Sequence, residues 1–473
     1  MSLDDDKAQL APLRGDVPDP VESALRARPD HTALLSDGRA WTAGELADAI
    51  ARCAGGLLDA GVKAGERVAL SGPPSADFVI ALHALGRVGA VACPISPSGP
   101  RVAWRRELAA TSAHSCWSVG ADLSKELSAP AHLSTLRPRP SWAAPARPWR
   151  LEDERLVILS SGSSGAPRPT ALSSGQLLFS AMGSALRLGH AQQDRWLCCL
   201  PLHHIGGLSV LLRCAIYGTT LDLRPRFEAV EVATALDSGE VSLVSLVPEM
   251  LARVLDARPA ERLPGALRAA LIGGAPTPPE LLRRCREIDA PLSLTWGMSE
   301  AASQVATRFP GDLRQAPDCG PPLPFTRVTS EQGRLEVHGP IAAGRLRSAD
   351  HGALDEQGRV QVTGRADAVL NSGGVKVSPQ EIEAVLCAHP AVSEAAVGQR
   401  QDPRWGARPV AVLVAAGGRA LDDGALRDWC RERLSKVKTP ELFLWEATLP
   451  RSALGKLRRG MVQELIERRA EHD

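Results

Sequence analysis

The sequence predicts an α/β fold: a large N-terminal domain, residues 1–366, of mostly parallel sheets flanked by helices, then a small α+β C-terminal domain, residues 367–473. Three observations predict it. Short apolar runs rich in Val, Ile and Leu alternate with amphipathic helical stretches through most of the chain, the pattern of a parallel sheet covered on its faces. Near Asp367 this alternation gives way to shorter, mixed pieces. The chain also has 473 residues, more than one apolar core usually serves.

Taken in order, the first clear element is a helix over residues 42–60. Thr42 and Glu45 form a capping box, and Leu46, Ile50, Cys53 and Leu57 share one face. Residues 65–72 (GERVALSG) read as a buried strand, residues 75–87 as a helix and VGAVACPI as a second strand. Residues 128–149, rich in Pro, Arg and Ser, are expected to form a long surface connection without a regular element. After residue 155 the alternation returns in LVIL, LCCLPL, TTLDL, VSLVSLV, AALIGG and LSLTW. In the tail, Ser378-Pro379-Gln380-Glu381 opens a helix, with a capping serine, a proline in the first turn and a glutamate three residues on. Strands are expected near 391–398, 409–415 and 441–447, a helix near 423–435 and a basic helix to the end.

Composition excludes several classes. Apolar residues make up 44% and charged residues 23%, ordinary for a globular enzyme. Lys plus Arg is 55 against 54 Asp plus Glu, so neither general nucleic-acid binding nor a polybasic membrane contact has an electrostatic basis. No apolar run is long enough to span a bilayer. The ten cysteines are scattered without CxxC spacing and read as reduced thiols of a cytoplasmic protein. Arginine outnumbers lysine 48 to seven, and four of the seven lysines (Lys376, Lys436, Lys438 and Lys456) lie in the last hundred or so residues.

The chemistry is concentrated in LVILSSGSSGAPRP, residues 156–169. A buried strand runs into six Ser and Gly residues, Ser160, Ser161, Gly162, Ser163, Ser164 and Gly165. Glycine permits close backbone approach, and hydroxyls with exposed N–H groups make an anion cradle. A flexible Ser/Gly turn is the alternative. Glu300 could equally be a surface carboxylate, Asp350 a turn residue before Gly352, and Lys456 a solvated lysine. His203 and His204 suggest a core or a metal pair; with no third ligand nearby, metal is discounted.

Further motifs follow in order, and with them the chain resembles the adenylate-forming superfamily of acyl-CoA synthetases. Ser161-Gly162-Ser163-Ser164-Gly165-Ala166-Pro167-Arg168 is similar to that family's phosphate loop, TSGSTGxPK, with Arg168 for lysine. A planar guanidinium is not a point ammonium. Gly273-Gly274-Ala275-Pro276 matches the adenine-side loop, and Trp296-Gly297-Met298-Ser299-Glu300 the YGxTE stretch, with an indole whose face can flank adenine. The resemblance implies that Glu300 holds Mg²⁺, that Asp350 (in Ser348-Ala349-Asp350) accepts from the ribose hydroxyls and that Arg365 reaches the ribose. It makes Asp367 the hinge of a mobile small domain. It places Ser372, Gly373, Gly374 and Lys376 along the thiol's approach, and makes Lys456, in PRSALGK, the adenylation lysine. The substrates implied are ATP, coenzyme A and a carboxylic acid, with Mg²⁺ as cofactor.

Two stretches point to one branch. PLHHIGGLS with Arg213 and Tyr217-Gly218, and SEAASQ ending in Gln304, resemble the o-succinylbenzoate-CoA ligases of menaquinone biosynthesis. Their acid carries a second carboxylate and a ketone, and Arg213 is the candidate cation for that carboxylate, bound bidentately; facing solvent on a helix is the equal alternative for Arg213. His204, Ser299 and Gln304 complete the acyl pocket. A ligase for another aryl or acyl acid, or an enzyme loading a carrier protein's phosphopantetheine arm, stays open. So does assembly into a homo-oligomer.

Overall fold

The structure, a computed structural model, describes residues 14–97, 101–119, 134–136, 138–161, 167–258, 262–313, 318–365, 370–372, 375–402, 406–418, 421–452, 455 and 457–470. Two large sheets form its body. The first has eight strands in the order Ser303–Thr307, Leu292–Met298, Ala269–Ile272, Leu243–Leu246, Arg195–Cys198, Thr220–Leu223, Thr32–Ser36 and Arg39–Thr42. It is parallel except for its outermost pairs. The second has six strands: Pro167–Ser173, Glu154–Ser161, Val91–Ile95, Arg67–Ser71, Ser115–Ser118 and Ser134–Leu136. Only its first pair is antiparallel.

One apolar cluster joins both sheets. Leu34, Trp196 and Leu221 of the first and Val68, Ala92 and Leu156 of the second belong to it, with Leu46 and Leu57, Leu82 and Leu85, and Leu208 and Leu211 of the intervening helices. These helices form for the reasons the sequence gives. Ala43–Asp59 is opened by the Thr42–Glu45 capping box, with both reciprocal bonds made. Ala76–Val88 starts at Ser75, whose hydroxyl accepts from the Phe78 N–H, and ends at Gly89 in the left-handed conformation.

Two parts differ from expectation. The Pro/Arg/Ser-rich stretch 128–149 is not purely a surface connection: Ser134–Leu136 extends the six-stranded sheet, and Ala144 and Trp149 are each 1% exposed. A third, wholly antiparallel sheet of Arg327–Glu331, Arg334–Gly339, Gly344–Leu354 and Val360–Arg365 was not foreseen. Its strands are heavily charged, and the completely buried Glu336 is held at 2.7 Å by Arg345, so their hydrophobic pattern is faint.

The tail builds a sheet of its own from Val375–Val377, Leu370–Ser372, Gly406–Ala415, Val392–Asp402 and Leu442–Trp445. Helices Pro379–Cys387 and Asp423–Arg433 cover one face through Ile382, Leu386, Leu426 and Cys430. Helix Arg459–Ala470 covers the other through Val462 and Ile466. All the tail elements expected are present. The cap is not: Ser378 makes no capping bond; its hydroxyl is turned towards the Thr363 carbonyl, to which it donates. Among the described residues no helix is long and apolar enough to cross a membrane.

Candidate active site

The eight-stranded sheet changes direction at Arg195–Cys198, which lies between Thr220–Leu223 on one side and Leu243–Leu246 on the other. In an open parallel sheet the crevice beyond the carboxyl ends of the strands at such a point is where ligands bind. The residues leaving these strands are His203 and His204 after the first, Glu249 after Leu243–Leu246 and Gly273-Gly274-Ala275 after Ala269–Ile272. Gly273 is needed for packing, since a Cβ there would lie 2.7 Å from the Thr295 methyl. Gly274 adopts φ +84°, a conformation glycine takes without strain.

Leu292–Met298 carries the next motif. A Cβ on Gly297 would run into the Ser303 carbonyl, so this glycine permits the close pairing with Ser303–Thr307. Between the two strands, Ser299–Ala301 forms a 3₁₀ turn, followed by Ala302 and Ser303 at φ 53° and 106°. The turn is tied down from behind. Gln176 Nε2 donates to the Glu300 carbonyl at 3.1 Å and to the Ile341 carbonyl at 2.9 Å, and Ser180 Oγ donates to the Ala302 carbonyl at 2.7 Å. The Glu300 side chain is exposed. Sequence reasoning missed Gln176 and Ser180; Gln176 also closes a capping box with Ser173 at the start of its helix.

Three motifs far apart in the chain meet at Asp350. Its Oδ2 accepts from Trp296 Nε1 at 2.8 Å, its Oδ1 lies 3.6 Å from Arg365 Nη1, and Asp350 and Arg365 are direct cross-strand partners. Ser348 Oγ accepts from the Asp350 N–H at 3.0 Å. The indole is only 7% exposed, so Trp296 does not offer the open face expected of it. It is packed with Val305, Val328 and Val337 and uses its N–H.

Arg213 does not face solvent. It is 1% exposed within helix Ile205–Tyr217, 5.9 Å from the Trp196 ring centroid. Nη2 donates to Ser180 Oγ at 3.4 Å, while Nε and Nη1 have no partner among the described residues. Burial lowers its pKa. Gln304 is likewise buried; its Nε2 donates to Thr307 Oγ1 at 2.9 Å and its Oε1 is unpartnered. His204 precedes the Arg213 helix, its ring centroid 4.3 Å from that of His203. Burial, with the neighbouring His204, pulls His203 down to about 4. Burial also pushes Cys198 up to about 12, so that thiol is no nucleophile at neutral pH.

The Ser/Gly run starts at the end of one strand of an antiparallel pair. Glu154–Ser161 and Pro167–Ser173 pair antiparallel, with Ser161 opposite Pro167 and Ser160 opposite Arg168. Arg168, in the second strand, is exposed. Gly162, Ser163, Ser164 and Gly165 lie outside the described residues, as do the hinge position Asp367, the thiol-side Gly373 and Gly374, and Lys456. Their flanks are in place. Ser372 and Lys376 belong to two strands that pair antiparallel, Ser372 opposite Val375 and Asn371 opposite Lys376. Gly455, at φ +70°, packs so tightly against the Glu249 carboxylate that a Cβ would collide with it. Gly455 is thereby seated against the crevice. Among the described residues no three His, Cys, Asp or Glu side chains are grouped to hold a metal ion.

Comparison with known proteins agrees with this layout. Residues 21–331 match the AMP-binding enzyme family and residues 381–456 the AMP-binding enzyme C-terminal domain. A 2-succinylbenzoate–CoA ligase of Bacillus cereus (strain Q1) is 32% identical over 470 residues, covering 93% of this chain and 96% of the relative. One of Listeria innocua is 31% identical over 462 residues, covering 94% and 98%. Among solved structures, the Bacillus subtilis o-succinylbenzoate CoA synthetase in complex with its acyl-adenylate intermediate superposes with a TM-score of 0.86 at 30% identity, covering 95% of this chain and 98% of that one. The same enzyme with ATP and a magnesium ion gives 0.86 at 30% identity, covering 94% and 99%.

Proposed function

The chain belongs to the AMP-binding enzyme family, and from that premise we propose that it is an ATP-dependent acid–CoA ligase whose acid is o-succinylbenzoate. In the first half-reaction the carboxylate attacks the α-phosphorus in line; an acyl O–P bond forms and pyrophosphate leaves. In the second, the CoA thiol attacks the acyl carbonyl, giving the thioester and AMP. No protein nucleophile is needed, so the protein acts by positioning and by electrostatic stabilisation.

The roles fall to residues already described. Residues 160–165, with Arg168, hold the β and γ phosphates. Gly273, Gly274 and Ala275 line the adenine side, and Asp350 and Arg365 take the ribose. Glu300 suits a magnesium ion: its exposed carboxylate is engaged by none of the described residues, and one carboxylate plus substrate phosphates is how Mg²⁺ is usually held. When bound there, the ion would neutralise phosphate charge. Lys456 offsets charge between carboxylate and phosphate during adenylation. The small domain then turns about Asp367, withdrawing Lys456 and presenting the strands of Ser372 and Lys376 to the thiol. His204, Ser299 and Gln304 shape the acyl pocket.

The observation that carries the choice of acid is Arg213. A fully buried guanidinium with two of its nitrogens unpartnered among the described residues is costly, and a dicarboxylic acid would supply the missing partner. The test is purified protein with ATP, Mg²⁺ and CoA against a panel of aryl and aliphatic acids, with the thioester read by mass. o-Succinylbenzoyl-CoA should dominate, and its formation from free CoA excludes an obligate carrier protein. A preference for benzoate or a fatty acid would overturn the choice of acid and leave the ligase chemistry standing.

A further inference from the structure

We propose that Trp296 is the positioning residue for the ribose-reading carboxylate: its indole N–H fixes the rotation of Asp350, so that Oδ1 is the oxygen presented to the ribose hydroxyls. This rests on the nucleotide reading above. A carboxylate's terminal torsion is soft and roughly two-fold, and something must hold it. Arg365 is a poor candidate, since its side chain is 45% exposed and its nitrogen lies 3.6 Å away; such pairs are weak. The Ser348 hydroxyl engages the backbone of Asp350, not its carboxylate.

Trp296 meets the requirements. Its N–H lies 2.8 Å from Oδ2, and its ring is fixed by burial among Val305, Val328, Val337 and Ile341. An indole can only donate, so the contact cannot invert. A tyrosine hydroxyl, the group more usual in this motif, both donates and rotates. The strand pairing adds to the effect. Trp296 lies on Leu292–Met298 and Asp350 on Gly344–Leu354, so one hydrogen bond ties the eight-stranded sheet to the antiparallel one at the nucleotide.

The test compares ATP with 2′,3′-dideoxy-ATP as substrates for wild type, Trp296→Phe, Asp350→Asn and the double variant. A further protein carries benzothienylalanine at position 296, which keeps the indole's shape and lacks its N–H. It keeps the test decisive should the phenylalanine variant fold poorly. Expected is a rise in the KM for ATP of roughly fivefold or more, in line with a lost charge-assisted hydrogen bond. kcat should stay within about twofold, the dideoxy substrate should be nearly unaffected, and Trp296→Phe should add nothing to Asp350→Asn. Equal losses on both nucleotides, or additive losses in the double variant, would overturn the assignment. A wild type that consumes no ATP with any acid would instead overturn the nucleotide reading, and this inference with it.

Discussion

An arginine sealed in the interior with no carboxylate partner among the described residues sets function against stability. Among the described residues Arg213 has a partner for one of its three nitrogens, and replacing a poorly compensated buried charge with an apolar group often stabilises. Arg213→Met should therefore raise the melting temperature of the ligand-free protein. The same substitution should cost roughly 2–5 kcal/mol in kcat/KM for o-succinylbenzoate, the range for breaking a buried charged pair, and hardly affect benzoate. Paired thermal melts and steady-state kinetics check both. His203 gives a second expectation. Its folded pKa of about 4 lies below the ordinary 6.5, so between those values the unfolded chain binds the extra proton. Its contribution to stability is complete above pH 6.5 and drains as pH falls toward 4. His203→Gln should flatten that acid limb in denaturant titrations, by up to ~1.4 kcal/mol per pH unit. At this scale the sequence is legible for residue type and motif, not for burial: SVLLRCAIY permits Arg213 to point either way, and only the packing of Ser180 and Trp196 around it decides.

The phosphate-loop strand pair shows what an element adds to its residues. A Ser/Gly run between a strand and a helix would gain from the helix's positive end; this one joins two antiparallel strands, so the proposed phosphate site would rely on hydroxyls, N–H groups, Arg168 and the magnesium ion rather than on a helix dipole. Arg168→Ala should mainly raise the KM for ATP, with Arg168→Lys tolerated, because the charge holds the same oxygens in substrate and transition state. An unchanged KM in the alanine variant would place the side chain outside the phosphate site. Elements with strong local signals were legible: the Thr42–Glu45 box and the alternating strands needed nothing from the rest of the chain. The Ser378 cap is absent because a tertiary contact, donation to the Thr363 carbonyl, orients the hydroxyl, and no local pattern announces that contact. The antiparallel sheet of 327–365 escaped because a charge buried by ion pairing, Glu336, has no counterpart in a hydrophobic pattern.

For the molecule as a whole, the order of the motifs was legible, but their meeting points were not. Nothing in SAD, GR or WGMSE says that Trp296 donates to Asp350, or that Gln176 holds the turn carrying Glu300. The contact of Gly455 with Glu249 is of the same kind, and it bears on the two half-reactions. Because Lys456 follows a glycine seated against the crevice, Lys456→Ala should abolish adenylation while sparing thioester formation from supplied acyl-adenylate. Separate assays of each half-reaction check this, and equal loss in both would mean that one arrangement serves both steps. The distribution of cores has a calorimetric consequence. The two large sheets share one apolar cluster, and the antiparallel sheet packs into another with Trp296, Val305 and Ala306 of the larger sheet, whereas the tail closes around clusters of its own. Heat should therefore be absorbed in more than one step, with the van't Hoff enthalpy of each step smaller than the calorimetric total. No single unfolding free energy then describes the chain.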